Sequence, residues 1–474
     1  MNDVDVLIAG GGISGLATAW WLAQQGLTVE LWERDSRPGG KIHSDEEGGY
    51  LTERAATLVM NFRPEVNRFV MSCDIAGDKV LPRPVPNRYL LHEGRLVTVP
   101  MKLGAMVSSP LWSLRGKLRL LAEPFILKGG HEEETVSQFI TRRLGAEVLE
   151  RAMEPYVAGV LASDPQRANA YAVLPRLTAL ERRYGSLALG VFVHRLARWR
   201  RGCPTESFSF RGGMSTLVET LATARGVRLR LDQKVEAIAL DGTGSWRVSG
   251  RCTQGERTLK AAHVVLSVPA DAAASLVTPL DTELAKLLCD IDYAPISVVH
   301  VGFDRSAVQH PLDGTGFLVP RREHSMLNGN LWVSTLFPDR APPGKVLFSN
   351  YLGGVRSPQA AEWDDARSVD TVMQMLSPLL GIGAAPEMVR IDRHQRALPL
   401  YHGAYCGLGR AIDGRLRRWP GLHLEANYLG GVSIRDRIIC ANNTAKRILL
   451  AIGHSSPRAA AGLEGRGLGL EPGA

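Results

Sequence analysis

Val4, Val6, Leu7 and Ile8 form a short β-branched and aliphatic run that stops at the glycine triplet Gly10, Gly11 and Gly12, and a helical pattern begins at once. The run reads as a buried parallel strand. Gly10, Gly12 and Gly15 complete a GxGxxG spacing. In that pattern the first glycine permits a tight turn, the second lets a pyrophosphate approach the backbone, and the third lets helix and strand pack closely. The helix is predicted from about Ser14 to Gln25, closes at Gly26, and leads into a second strand from Leu27 to Trp32 that ends at Glu33. An acid there is placed for a ribose hydroxyl, and the helix N-terminus for phosphate. Arg34 follows the acid, and a glycine doublet with a cation, Gly39, Gly40 and Lys41, comes soon after. These residues, with Ser14 at the helix start, are the N-terminal candidates for holding a dinucleotide.

At 474 residues the chain exceeds what one hydrophobic core organises, so two or three domains are expected. The balance of 56 basic against 48 acidic residues, net +8, suits an anionic small molecule or an anionic lipid surface. The basic residues are dispersed and no nucleic-acid module is evident, so nucleic acid is not an expected partner. The six cysteines form no CxxC pair and read as reduced thiols, with no metal site and no disulfide framework. No run of about 18 apolar residues occurs. The first strand begins too early for a signal peptide to precede it, which points to a cytoplasmic protein. The Gly-, Ala- and Pro-rich stretch 454–474 is expected to be disordered.

Along the chain, Pro86 to Pro100 reads as a hairpin turning at Glu93 and Gly94. From Met101 to Gly130, Lys102, Arg115, Lys117, Arg119 and Lys128 face one acid, Glu123, among leucine, tryptophan, methionine and phenylalanine. That composition fits a face resting on anionic headgroups, or equally a helical subdomain with a solvated basic side. Residues 131–165 follow a helical period that is expected to break at Pro155 and Gly159. Ser207 to Leu221 (SFSFRGGMSTLVETL) returns the chain to the nucleotide domain, and Arg228 to Ala239, with Val235, reads as a strand pair. Ala262 to Pro269 is a further buried strand. Tyr293 to Phe303 opens a strand-rich domain continued by GFLVP, LWVSTLFPDRAPPG and KVLFSNYLGG. Residues 421–450 read as strand, glycine turn and helix.

Several of these segments resemble the oxygen-dependent protoporphyrinogen oxidase family of the flavin amine oxidase superfamily, over about residues 4–452. PNRYLLHEGRLVTVP is similar to the family's NR(F/Y)LYxxGxLxxLP. Glu134, Thr135, Val136, Phe139, Arg142, Arg143, Leu144, Gly145, Glu147, Gly159, Val160, Ala162, Asp164 and Pro165 match ETVxxFxxRRLGxE…GVxAGDP. Asn427, Tyr428, Gly430, Gly431, Val432, Ser433, Asp436 and Ile438 match GNYxGGVSVxDCIxxG, with Ala426 for glycine, Arg437 for cysteine and Asn442 for glycine.

The resemblance implies an α/β fold: a Rossmann-like FAD-binding domain from residues 1–85, 201–275 and 406–453, a helical insert at 86–200, and a mixed-sheet substrate domain at 276–405. It implies non-covalent FAD, with Val235 offering backbone groups to adenine and the isoalloxazine over the helix start at Gly431, Val432 and Ile434, where the dipole favours reduced flavin. Arg88 would pair a substrate propionate through its fixed fork of donors, Gly159 would lie against the macrocycle, and Leu331 and Tyr351 would flank a pyrrole ring. The implied reaction is oxidation of protoporphyrinogen IX to protoporphyrin IX, with oxygen as acceptor. No acid–base catalyst stands out, in keeping with a cofactor that carries the chemistry. Coproporphyrinogen III, an apolar substrate of amine oxidase or desaturase type, and a flavin protein without turnover stay as alternatives. The implied setting extends to the cytoplasmic membrane face, and a homodimer stays open.

Overall fold

The computed structural model describes residues 2–85, 87–100, 109–193, 206–253 and 255–455. The chain weaves between two large sheets. It starts the first with β1 (Val4–Ala9) and β2 (Val29–Trp32), joined by helix α1 (Ile13–Ala23), and then leaves it for a hairpin, β3 (Asn87–His92) and β4 (Arg95–Thr98). A helical stretch carrying α2 (Leu114–Leu121) and α3 (Glu154–Leu161) follows. The chain re-enters the first sheet with β5 (Val227–Arg230), β6 (Lys234–Leu240), β7 (Trp246–Cys252) and β8 (Gly255–Leu266). It builds the rest of the second with β9 (Tyr293–Asp304), β10 (Gly314–Leu318), β11 (Leu327–Trp332), β12 (Lys345–Gly353) and β13 (Met388–Pro399). Finally β14 (Leu422–Leu424) rejoins the first sheet and α4 (Ile434–Ser455) closes over α1.

The first sheet runs β5-β2-β1-β8-β7-β6, with β14 paired to β8. Its β1, β2, β5 and β8 are parallel. β1 is buried on both faces, Val6 and Ile8 toward α1 and α4, Leu7 and Ala9 toward a second apolar layer, as its near-continuous apolar run requires. The second sheet runs β13-β9-β12-β11-β10-β3-β4. One of its faces carries Leu91, Val299, Val301 and Phe348 against the helix Asp365–Leu380. The other carries Leu90, which packs with Phe139, Ile140 and Val157 of the helical stretch.

Four expectations are corrected. The strand pair at 228–239 is no pair: β5 joins β2 and β6 joins β7, at opposite ends of the sheet path. The hairpin grouped with the insert is stitched into the second sheet by parallel pairing of β3 with β10. Val333–Leu336, expected as strand, is one helical turn whose Ser334 hydroxyl accepts the Leu347 N–H at 2.9 Å. The α-helical period is disturbed just before Pro155, where Leu149–Met153 forms a π-helical turn that runs without a gap into α3, but it does not break at Gly159. The helix ends at Ala162 in the left-handed region with φ 53°. Residues 101–108 of the basic segment and most of the C-terminal tail lie outside the described residues.

Candidate functional site

The GxGxxG turn separates its three glycines by what surrounds them. Gly10 has φ +103°, and a Cβ there would meet the Ser267 carbonyl oxygen at 2.5 Å. A Cβ on Gly15 would lie 2.0 Å from the Gly10 carbonyl oxygen, so this position is closed by helix–strand contact. Gly12 is different: nothing lies within 4 Å of its Cβ position, and its φ of −71° needs no glycine. Its freedom is open space. Gly12 is also the N-cap of α1, with no side chain on the first-turn N–H groups and no acid in that turn. An uncapped N-terminus beside an open backbone is a cradle for phosphate.

Around this cradle the other candidates gather. Ser14 is buried in the first turn of α1. Gly39 forms a bridge with Gly12 and donates its N–H to Gly11 O at 2.8 Å, which brings the Gly39–Gly40 doublet alongside the turn. Glu33 is 6% exposed. Its Oε2 accepts the Gly11 N–H at 2.6 Å and its Oε1 the Asp35 N–H at 2.9 Å, which leaves lone pairs on both oxygens for a diol. Gln233 donates its backbone N–H to Glu33 O, and Val235 follows two residues on at the start of β6. The Ser267 Oγ and Gln233 Nε2 atoms are buried with no hydrogen-bond partner among the described residues. Both stand at the end of the sheet where β1, β2 and β8 finish, the expected mouth of a doubly wound nucleotide site. These residues fit a dinucleotide.

Lys41 reaches away from the turn, donating to Ala397 O at 2.8 Å, and burial lowers its amine to about 8. It ties the segment after the first sheet's glycine turn to β13. Arg34 does not join the cluster: its side chain is 67% exposed and pairs with Asp35. Gly431, at φ +111°, and Val432 lead into Ile434, the first residue of α4, so a second helix N-terminus stands beside α1. Cys406 Sγ points at Asn169 Oδ1 at 3.6 Å, and burial raises its thiol.

Three of the substrate candidates share one face of the second sheet. Phe317 pairs with Tyr89 and Gly314 with Asn87, so the bulge at 315–316 stands opposite Arg88. Across the sheet, Gly316 pairs with Leu331, Leu331 with Ser349, and Ser349 with His300. The next row on the same face runs Leu90, Leu318, Gly329, Tyr351 and Val298. Side chains two residues apart on a strand share a face. Arg88, Leu331 and Tyr351 therefore look the same way, with exposed Arg88 at the hairpin rim. Burial raises the Tyr351 phenol, which hydrogen-bonds Thr57.

Helix α3 crosses this face. A Cβ on Gly159 would lie 2.6 Å from Leu318 Cδ2 and 3.2 Å from Asn328 O. Two groups that sequence reasoning left aside pin the helix down. Glu154 accepts from Arg356 at 2.7 Å and from the Arg321 N–H at 2.9 Å, while Arg356 also donates to Val319 O. In the helical stretch the Arg142–Arg143 pair is a hub: Arg142 binds Glu134 and Glu181, and fully buried Arg143 binds Glu123 and the Ile126 carbonyl. The Arg-Arg-Leu-Gly motif was the signal for that hub. Tyr156 and Val160 of α3 are 39% and 48% exposed, yet burial raises the Tyr156 phenol and Arg435 of α4 opposes the rise. Tyr156 therefore lies within electrostatic range of the start of α4.

Among the described residues no group of three or more His, Cys, Asp or Glu side chains is placed to hold a metal ion, and no helix is long and apolar enough to cross a membrane.

The family model for flavin containing amine oxidoreductases matches residues 13–448. The mitochondrial protoporphyrinogen oxidase of Nicotiana tabacum is 30% identical over 94% of this chain and 94% of its own. The coproporphyrinogen III oxidase of Bacillus subtilis is 26% identical over 91% and 95%. A crystal structure of a protein from Exiguobacterium sp. 255-15 superposes with a TM-score of 0.79 at 22% identity, covering 95% of this chain and 99% of that one.

Proposed function

The chain belongs to the protoporphyrinogen oxidase family of flavin-dependent amine oxidoreductases, and from that membership we propose that it oxidises protoporphyrinogen IX to protoporphyrin IX with non-covalent FAD and oxygen. The observation that carries this reading is the sheet face that Arg88, Leu331 and Tyr351 share, with α3 packed on it at Leu318 and Asn328. An apolar macrocycle with ionised carboxylates needs flat apolar walls and a cation at the rim, because an unpaired buried carboxylate is costly. Leu331 and Tyr351 supply the walls, Arg88 the cation, and Gly159 the close approach of the roof.

When bound, FAD supplies the hydride acceptor, so the chain's own task is placement. The α1 N-terminus and Gly12 hold pyrophosphate, Glu33 the ribose, the backbone near Val235 the adenine end, and the Gly431–Ile434 turn the ring. The Glu154–Arg356 tie keeps α3 over the sheet face and limits water there.

A membrane surface fits as partner, since the product and substrate are poorly soluble. Leu114, Leu118 and Leu121 on one side of α2, with Phe125 and Leu127 beyond it, are 60–87% exposed among Arg115 and Lys128. The test of the reaction is direct. Purified protein in air, given protoporphyrinogen IX and coproporphyrinogen III separately, is expected to produce porphyrin fluorescence and peroxide with a higher kcat/KM for the first. Preference for the second moves the substrate to the coproporphyrinogen branch. No turnover of either, with amines or other apolar compounds oxidised, rejects the reading.

A further inference from the structure

Arg437, in the first turns of α4, is 1% exposed. It stands where the family pattern has cysteine. Its Nη1 donates to Ala426 O at 2.5 Å and Glu425 Oε1 at 3.1 Å, and its Nη2 to Leu429 O at 2.5 Å. A Cβ on Gly430 would sit 3.3 Å from the same Nη2, so the guanidinium lies directly beneath the glycine turn. Ala426, another departure from the pattern, is the residue whose carbonyl it takes. Glu425 is 3% exposed and its Oε2 accepts the Thr444 hydroxyl at 2.8 Å.

The pair is close to neutral in sum but ordered in space. The cation contacts the carbonyls of the turn and one oxygen of the carboxylate, whose other oxygen is held by Thr444 about three turns along α4 from its start. The positive end of the pair and the positive end of the helix dipole therefore both belong to the turn, and in a buried setting such charges act over several ångströms.

We propose that Arg437 supplies a second, buried source of positive potential beneath the 426–431 turn and thereby favours the reduced, negatively charged state of the flavin held there. The inference rests on the flavin reading above. Hydride transfer breaks a substrate C–H bond and moves two electrons and one hydrogen to the oxidised ring, which gains one negative charge; the oxidised substrate then releases a proton to water. A cation under the ring end lowers the cost of that added charge. Arg437 is a positioning residue in this account, acting through the turn.

Sulfite adds to an oxidised flavin with the same gain of negative charge and without turnover, so its dissociation constant reads the effect. The full-length flavin-bearing protein at pH 8 and fixed ionic strength is titrated with sulfite, and the flavin midpoint potential is measured by dye equilibration. Arg437→Met is expected to weaken sulfite binding at least about tenfold and lower the potential, and Arg437→Lys to weaken it less, because it keeps the charge. Glu425→Gln removes the opposing charge and is expected to tighten sulfite binding. Sulfite affinity within twofold of wild type in flavin-replete Arg437→Met, or unchanged or weaker affinity in Glu425→Gln, overturns the inference. If Arg437→Met does not hold flavin, the Lys and Glu425→Gln variants decide by the same criteria. A wild-type protein that binds no flavin overturns the flavin reading and this inference with it; altered flavin-bearing variants with unaltered potentials overturn this inference alone.

Discussion

Gly159 of α3 lies so close to Leu318 of β10 that a methyl group on it would come within 2.6 Å of the leucine Cδ2. Leu318 is the end of a side chain and can yield, but the Asn328 carbonyl oxygen at 3.2 Å is backbone and cannot. Gly159→Ala is therefore expected to fold with a cost of about 1 kcal/mol, and Gly159→Val to lose roughly 1–3 kcal/mol and most activity by lifting α3 off the sheet face. Thermal unfolding with porphyrin formation measured in parallel checks this. A Gly159→Val protein as stable and active as wild type contradicts the packing.

The phosphate turn makes a sharper distinction. Gly12→Val puts its side chain into open space, so the apoprotein is expected to unfold at the wild-type temperature while holding no flavin. Gly15→Ala meets the Gly10 carbonyl at 2.0 Å and is expected to lose stability as well as flavin. Absorbance at the flavin band and calorimetry of the apoproteins separate the two. Full flavin occupancy in Gly12→Val counts against the site.

What could be read from the chain alone follows from how local the cause is. The roles of Gly10, Gly12 and Gly15 come from one turn, and all three were legible in their spacing. Arg88, Leu331 and Tyr351 come from three strands far apart in sequence; only resemblance joined them, and the register of β3, β10, β11 and β12 puts them on one face. Local pattern alone makes Gly159 a helix stop, because a glycine's long-range neighbours leave no local trace; in the fold it lies inside α3, packed against Leu318. Val333 and Thr335 favour a strand by propensity, yet the segment is bound to β12 through Ser334 and turns helical, an instance of tertiary contact overriding preference.

Buried histidines set the acid limit. Burial lowers His423 to about 3, with His263 beside it at 3.2 Å between ring nitrogens, and lowers His300 and His402 to about 4. Their folded values lie below the unfolded value of 6.5, so above 6.5 both states are neutral. As pH falls below 6.5 the unfolded chain takes up protons that the folded one refuses, and stability drops until the folded values are reached. Glu53 acts oppositely: burial raises it to about 7, so its contribution falls as pH rises from 4.5 to 7. His423→Gln is expected to flatten the fall in unfolding temperature between pH 6.5 and 4 relative to wild type. An identical slope in both proteins excludes the histidine pair.

Binding to anionic vesicles is expected at low salt and to weaken as salt screens the surface attraction. Leu118→Asp with Phe125→Ser, both on the exposed apolar side, is expected to lower cosedimentation with vesicles several-fold while leaving flavin content unchanged. Wild-type protein that stays in the supernatant even at low ionic strength makes this a solvated face.

If the sheet face carrying Arg88 holds a porphyrinogen through its carboxylates, Arg88 is the residue whose loss shows it most directly. A truncated charged hydrogen bond costs about 1.5–3 kcal/mol, roughly 10- to 100-fold in kcat/KM. Arg88→Ala is expected to keep its flavin and lose activity on that order with protoporphyrinogen IX, and Arg88→Lys to recover only part, since an ammonium lacks the fork. The deciding measurement repeats kcat/KM for wild type and Arg88→Ala with the propionate-esterified porphyrinogen. Carboxylate pairing predicts that the two enzymes then differ little. An equal loss with ester and acid contradicts it.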